Sequence, residues 1–286
     1  MGISVVINTL NEEANLPRAL ASVRGFADEI VVVDMHSDDN TVKIAKKFGA
    51  RVFSHERTNY VEPARNFAIS KATEDWIFVL DGDEELTSTL KGHLKKLINS
   101  EKPADYYRIP RKNIIFGKWI KHSRWWPDYN IRFFKKGKVS WNEVIHSVPM
   151  TEGDGIDLAS SEEYAIVHHN YSSLSQFIER MNRYTTVQAQ DMKMSGKHFE
   201  WQSILTKPTS EFLSRYFQGE GYKDGIHGLA LSCLQAFSEL VTILKLWEDE
   251  RFKEQIVKVS DVVSVMKDSQ SDIFYWQADT LLKTEG

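Results

Sequence analysis

The chain has 286 residues, 42% of them hydrophobic and 27% charged, and a net charge of −4. That is enough for one large domain or two small ones, and the mixture excludes a disordered or collagenous chain. The negative balance argues against general nucleic-acid binding, and a single cysteine, Cys233, excludes an internal disulfide framework and fits a reducing compartment.

The opening residues, Met1 to Asn8, carry only a short apolar run with no basic segment before it, so they read as a first strand and not a signal peptide. Asn8-Thr9-Leu10-Asn11-Glu12-Glu13 follows, then a helical pattern over 15–23. Small polar residues in such a place serve equally as helix caps or as ligand contacts. A second strand, 29–33, ends in Asp34. His36-Ser37-Asp38-Asp39-Asn40-Thr41 then leads into a helix over 42–48 that Gly49 closes. Residues 51–53 form a third strand, and a helix over 62–71 carries Arg65 and Asn66. This alternation predicts a right-handed, doubly wound parallel sheet.

Trp76-Ile-Phe-Val-Leu80 is apolar throughout, as a central strand covered on both faces is. It runs into Asp81-Gly82-Asp83-Glu84-Glu85. Asp81 and Asp83 thus fall at the carboxyl end of the strand, where open α/β sheets place ligands. Carboxylates so close repel unless a cation or a shared proton holds them, and oxygen ligands suit Mg²⁺ or Mn²⁺. Gly82 allows a tight turn with room for a bulky group. The plain alternative is a solvated acidic turn ahead of the helix over 87–98.

After Pro103 the texture changes. Residues 106–141 hold ten Lys or Arg, one acid (Asp128) and ten aromatics. Short alternating pieces there predict strands of a mixed sheet, and the loop Ser123-Arg124-Trp125-Trp126-Pro127 reads as exposed, a pairing of Arg and Trp that suits sugars, phosphates or lipid headgroups. Residues 164–169 read as one more strand, ending in His168 and His169. Beyond 174 the pattern is helical to the end, with long helices over 174–193 and 226–247.

In this order the pieces resemble the family 2 glycosyltransferases, inverting enzymes with a GT-A fold. The resemblance is carried by Ser4 to Glu13, Ile30 to Asp34 with Ser37 to Thr41, Ala64-Arg65-Asn66, Leu80 to Glu84, Arg132-Phe-Phe and Val144-Ile-His146. Tyr216 through Lys223-Asp224-Gly225-Ile226-His227-Gly228, running into an apolar helix, is similar to the bacterial subgroup that adds glucose to the lipopolysaccharide inner core. The resemblance implies an α/β chain. A GT-A, Rossmann-like nucleotide-sugar-binding domain with a mixed central sheet would cover 1–170, its nucleotide-binding half 1–100 and its acceptor half 101–170, and an α-helical region would cover 171–286. It implies a UDP-sugar donor, a glycan or lipid-linked acceptor, and Mg²⁺ or Mn²⁺. Thr9, Asn11 and Glu12 would line the base and ribose pocket, Asp34 would accept from the uracil N–H, and Arg65 would approach the diphosphate. Asp81 would contact the ribose or the metal shell, Asp83 would bind the metal, and His169 or its neighbour His168 would complete that shell. Arg124, Trp125 and Arg132 would meet the acceptor. The chain departs from the family in having Ser147 where an acid usually follows the Val-His pair, and His36 where a small residue is usual.

An inverting transfer needs a base for the acceptor hydroxyl. Glu143 is the first choice, as the sole acid between Asp128 and Glu152, and His146 the second. Two other classes stand beside this reading. One is a sugar nucleotidyltransferase, against which the lack of glycine in 8–18 counts; the other is an inactive sugar-nucleotide-binding protein. In the helix over 226–247, Leu229, Cys233, Leu234, Phe237, Leu240, Val241, Leu244 and Trp247 share one broad face. No stretch of 18 residues there is free of polar groups, so a span is not expected. The face reads either as core or, with the basic aromatic stretch, as a peripheral contact with an anionic membrane on the cytoplasmic side.

Overall fold

The structure is a computed structural model and describes residues 1–57, 61–141 and 149–285. Glu143, His146 and Ser147 therefore lie outside the described residues. The chain divides into two compact units, residues 1–113 with 127–170, and residues 114–126 with 171–286.

The first unit begins with strands and helices in alternation: β1 (Ile3–Thr9), α1 (Leu16–Ser22), β2 (Glu29–Asp34), α2 (Thr41–Lys47), β3 (Arg51–Ser54), α3 (Glu62–Ser70) and β4 (Trp76–Asp81). A short β5 (Glu84–Glu85) and α4 (Ser88–Ile98) follow. Then come β6 (Tyr106–Ile115), β7 (Lys118–Trp119), β8 (Asp128–Lys135), β9 (Val139–Ser140), β10 (Met150–Thr151), β11 (Gly155–Asp157) and β12 (Ile166–Tyr171). The sheet order is β3-β2-β1-β4-β8-β6-β12-β5, with β11 on β6. β1 pairs in parallel with β2 and β4, whereas β8 returns antiparallel on β4, so the sheet is mixed.

All seven residues of β1 are buried, as are Trp76 to Leu80, which is why these β-branched and aromatic runs take the middle of the sheet. Trp76 stacks on Phe133 of β8 at 4.9 Å, and Phe26 meets Phe78 edge-on at 5.8 Å. Thr87 caps α4, its hydroxyl accepting from Leu90 N at 3.1 Å. The parallel register sets Thr9 opposite Asp34 and Asn8 opposite Asp81. Three strands therefore deliver polar side chains to one edge of the sheet.

The second unit takes the last residues of β6 with β7, then α5 (Leu174–Met194), α6 (Ser203–Leu213), a π turn (Ser214–Gln218), a 3₁₀ turn (Gly221–Asp224), α7 (Ile226–Asp249) and α8 (Val259–Glu285). Phe177 and Met181 share a core cluster with Leu231 and Leu234, and Ala189 shares another with Ile243 and Leu246. Helices α5 and α7 thus run in the same direction. The stretch around Asp224 is a clamp. Its buried carboxylate accepts from the backbone N–H of Lys121 (3.1 Å) and His122 (2.8 Å), and Lys118 Nζ donates to its carbonyl at 2.6 Å. Gly225 (φ +65°, ψ −139°) takes a conformation closed to other residues and opens α7.

One expectation is corrected here, and one open choice is narrowed. The loop 123–127 is not simply exposed. Ser123 is buried, donating its N–H to Gly219 O (2.7 Å) and its hydroxyl to Arg215 O (3.2 Å). And the face that α7 buries runs through Gly228, Leu231, Ser232, Thr242, Ile243 and Leu246, while Leu229, Cys233 and Phe237 are exposed. Close helix approach favours the small residues: a Cβ at Gly228 would lie 1.8 Å from Gly221 O. Ser232 and Thr242 return their hydroxyls to the helix's own carbonyls, Gly228 O (2.7 Å) and Ser238 O (3.0 Å). These internal bonds make α7 more apolar in effect than its residue list suggests. It is long and apolar enough to cross a membrane, its most apolar stretch having a mean hydropathy of 1.5 with 33% buried.

Two glycine substitutions test this packing with opposite signs. Gly228→Ala destabilises by about 1–3 kcal/mol through overpacking. Gly92→Ala, at an exposed position of α4 with nothing within 4 Å, stabilises by about 0.5–1 kcal/mol. Urea unfolding midpoints read both; a stabilised Gly228→Ala would refute the close approach.

Candidate active site

At the carboxyl end of β2, Asp34 is buried and held by three donors. Thr9 Oγ1 (3.1 Å) and Ser37 Oγ (2.6 Å) donate to its Oδ1, and Ser37 N donates to its Oδ2 at 2.9 Å. Asn11 joins the group by donating its N–H to Ser37 Oγ (2.8 Å), while its own Oδ1 accepts from Asp38 N (2.8 Å). Glu12 N donates to Thr41 Oγ1 at 2.8 Å. The Thr9 to Glu13 turn is therefore stitched to the Ser37 to Thr41 turn. A cleft of about 510 Å³ opens beside it, lined by Asp34, His36, Ser37, Lys46 and Phe53 among others. His36 stands there with φ +58°, in the left-handed region that non-glycine residues seldom occupy.

The β4 end is built around Arg132 of β8, which is 3% exposed. Its Nη2 donates to Asp81 Oδ2 (2.5 Å) and to Glu84 Oε1 (2.7 Å). Glu84 Oε2 accepts from Asp81 N at 3.0 Å, and Arg65 Nη2 donates to Asp81 Oδ1 at 3.0 Å. Burial alone would raise the pKa of Asp81; Arg132 and then Arg65 reverse this and hold it well below the usual carboxylate range. Burial likewise pulls Arg132 down, and Asp81 and Glu84 lift it above its ordinary value. Arg65 also lies over the Trp141 ring at 5.7 Å, and its Nη1 is buried with no hydrogen-bond partner among the described residues. The space at Gly82 is filled by Glu12, whose Cγ would stand 2.9 Å from a Cβ there, so Glu12 joins the acidic turn.

Asp83, also buried, faces β12. His168 Nε2 lies 3.6 Å from Asp83 Oδ1. On its other side His168 Nδ1 is 2.6 Å from Asn113 Oδ1, and Asn113 Nδ2 donates to Asp128 Oδ2 at 3.1 Å. The carboxylate accepts only, so it fixes the amide, and the amide oxygen then requires the proton on Nδ1. With the proton on Nδ1, Nε2 turns a lone pair toward the Asp83 carboxylate, so the two acceptors face a position that a bridging donor or a metal ion would fill. A histidine that ligates a metal is held in this way, its far nitrogen donating to a fixed acceptor behind the ring. Among the described residues no three His, Cys, Asp or Glu side chains converge as a metal site. Mg²⁺ or Mn²⁺ on one or two protein ligands takes its remaining oxygens from phosphates and water, so Asp83 with His168 fits such an ion.

Of the two candidate histidines, His168 is the one whose ring stands beside Asp83. Successive residues of a strand point to opposite faces, and His169 Nε2 lies toward Glu85 Oε1 at 3.6 Å instead. Arg132, expected to meet the acceptor, is buried and turns its guanidinium inward onto Asp81 and Glu84. Arg124 and Trp125 belong to the second unit, where Arg124 Nη2 donates to Glu211 Oε2 (2.7 Å) and the Arg215 guanidinium lies 5.8 Å from the centre of the Trp125 ring. Sequence reading missed Glu84, Arg111, Asn113 and Asp128. Arg111 Nη2 stands 2.7 Å from Asp128 Oδ2 and its Nη1 3.4 Å from Glu84 Oε1. Only the isolation of Asp128 in a basic stretch hinted at this group.

Residues 4–151 match glycosyl transferase family 2. A glycosyltransferase of Rickettsia typhi is 29% identical over 280 residues, covering 94% of both chains. The lipopolysaccharide core biosynthesis glycosyltransferase LpsC of Rhizobium meliloti is 24% identical over 268 residues, covering 92% of this chain and 97% of its own. Among solved structures, S. aureus TarS 1-349 in complex with UDP-GlcNAc aligns with a TM-score of 0.47 at 15% identity, over 90% of this chain and 95% of that one.

The depressed pKa of Asp81 fixes a sign. Its ion pairs stabilise the fold above the unfolded carboxylate value of 3.8 and are lost as pH falls from there toward the folded value. Thermal unfolding of wild type and Asp81→Asn should therefore differ fully at neutral pH, with the gap closing below 3.8. A gap that widens on acidification would contradict the assignment.

Proposed function

The chain belongs to glycosyl transferase family 2, and from that premise we propose that it moves a sugar, glucose by the resemblance of its tail, from a UDP-sugar to a glycan or lipid-linked acceptor of a cell-envelope polysaccharide. The observation that carries the donor side is Asp83 facing His168 beside the Arg-held Asp81, at the carboxyl end of a buried parallel strand. Asp34, fixed by Thr9 and Ser37, orients the base, and Asn11 and Glu12 close the ribose side. Arg65, with its unspent Nη1, meets the diphosphate. Asp83 and His168 would hold Mg²⁺ or Mn²⁺, which when bound neutralises charge on the departing diphosphate.

In the transfer the acceptor oxygen forms a bond to the anomeric carbon from the face opposite the leaving group. Its proton passes to Glu143, the bond from the anomeric carbon to the diphosphate oxygen breaks, and UDP leaves with that electron pair. The configuration inverts. We assign donor binding to residues 1–100 and acceptor binding to 101–170 with Arg124 and Trp125. LpsC is named for lipopolysaccharide core biosynthesis, which supports this acceptor class. The reducing compartment suited to a lone Cys233 supports a cytoplasmic site.

Calorimetric titration of UDP with and without Mn²⁺ tests the donor half. Asp83→Ala should lose most of the metal-dependent affinity while unfolding normally; unchanged affinity would defeat the proposal. For the base, Glu143→Gln should keep UDP binding and cut transfer roughly 100- to 10,000-fold. If His146→Ala shows that profile and Glu143→Gln does not, the base is His146.

A further inference from the structure

The stretch Lys223 to Gly228 begins a helix whose outer face the transfer reaction does not use. Ile226 is 73% exposed, Leu229 37% and Phe237 48%, and with Cys233 they recur at spacings of three and four on one side of α7. The stripe is about 16 Å long at 1.5 Å per residue. No Asp, Glu, Lys or Arg occurs between 226 and 238, and the one histidine there, His227, turns its Nε2 to Phe116 O at 3.3 Å. At its N-terminal end the Asp224 clamp gathers cations. Lys118 Nζ is fixed on Asp224 O, Lys121 follows along the same hairpin with its ammonium 4.1 Å from the centre of the Trp119 ring, and Lys223 Nζ is held by Glu220 at 2.8 Å. All three lysines are exposed, against the half-buried Glu220 and the buried Asp224, whose carboxylate is turned onto backbone N–H groups. Trp119 and Trp126, edge to face at 5.2 Å and half-buried, stand on this hairpin, the kind of side chain that favours a boundary between water and hydrocarbon.

We propose that this face, the Ile226, Leu229 and Phe237 stripe with Lys118, Lys121 and Lys223 at its head, docks the chain on an anionic lipid surface, with α7 lying in the plane of the interface. Charge complementarity chooses lipid: an acid-free apolar stripe headed by lysines matches apolar depth beneath an anionic headgroup layer. A second copy is a poorer fit. Three large apolar side chains along such a length fall short of the roughly 800 Å² per partner that a stable interface covers. A span is also a poorer fit, because the far half of α7 is tied into its unit by Lys245, whose Nζ donates to Asn182 O, to Thr185 Oγ1 (2.9 Å) and to Thr186 Oγ1 (2.7 Å). The proposal rests on the lipid-linked form of the acceptor for its purpose. Its test involves neither donor nor acceptor.

The test is flotation of the full chain with vesicles of phosphatidylcholine alone, or with about one third phosphatidylglycerol, at low and high salt. The chain should float with the anionic vesicles at low salt and not with the neutral ones. Replacing Lys121→Gln and Lys223→Gln together should lower the partition coefficient roughly thirtyfold, about fivefold per lysine. Phe237→Ser should weaken it with unchanged circular dichroism. No flotation with anionic vesicles, or flotation indifferent to lipid charge and to these substitutions, overturns the proposal. So does a dimer in sedimentation that Phe237→Ser dissociates, since a second copy then covers the face. UDP titration of the same preparations is independent, so a failure here leaves the donor reading standing.

Discussion

One guanidinium holds the end of β4 together. Arg132 lies between Asp81 and Glu84, buried, and without it two carboxylates would face each other across a tight turn. Removing one partner of a buried pair costs about 3–5 kcal/mol, chiefly because the other charge is left uncompensated. From Arg132 the polar contacts continue through Glu84 to Arg111, from Arg111 to Asp128, from Asp128 to Asn113, from Asn113 to His168, and back to Asp83. The path leaves the Asp81-Gly82-Asp83 turn at one carboxylate and returns to it at the other. Five strands, β4, β5, β6, β8 and β12, each contribute a member. Such a network rigidifies a site because its members hold one another, and it leaves the gap between His168 and Asp83 as its open link.

This ring explains why a mixed sheet suits the chemistry. A purely parallel sheet would bring Thr9, Asp34 and Asp81 to one edge and stop there. The antiparallel return of β8 on β4 is what sets Arg132 against Asp81, and the antiparallel pairing of β12 with β5 is what turns His168 toward Asp83. The acidic turn thereby gains Arg132 beside Arg65 and Arg111, and keeps one carboxylate, Asp83, directed at a histidine whose far nitrogen is already engaged.

The first ninety residues were largely legible because strand and helix periods alternate cleanly, and because Trp76 to Leu80 is too apolar to be anything but a central strand. Asp34, Asp81 and Asp83 could be marked from their place at strand ends. What could not be read was phase. His168 and His169 are equivalent in sequence, and only the pairing of β12 decides which one faces Asp83. Arg132 looked like a surface cation in a basic stretch because nothing local reveals that β8 buries it. In α7 the apolar residues left core and surface readings open; the buried face joins Leu231, Ile243 and Leu246 to the small Gly228 and to Ser232 and Thr242, whose hydroxyls bond carbonyls of the same helix. The Lys223 to Gly228 stretch stood out in the sequence for its likeness to a subgroup; its physical meaning is the Asp224 clamp on the hairpin of residues 114–126.

The central claim is that strand parity and the Asn113 hydrogen bond make His168 the partner of Asp83. The most direct measurement is Mn²⁺ affinity in the presence of UDP, by titration with paramagnetic resonance detection, for His168→Ala and His169→Ala side by side. His168→Ala should weaken Mn²⁺ at least tenfold, and Asn113→Ala roughly 10- to 100-fold through loss of the orienting bond, while His169→Ala stays near wild type. A chain in which His169→Ala abolishes Mn²⁺ binding and His168→Ala does not would contradict it.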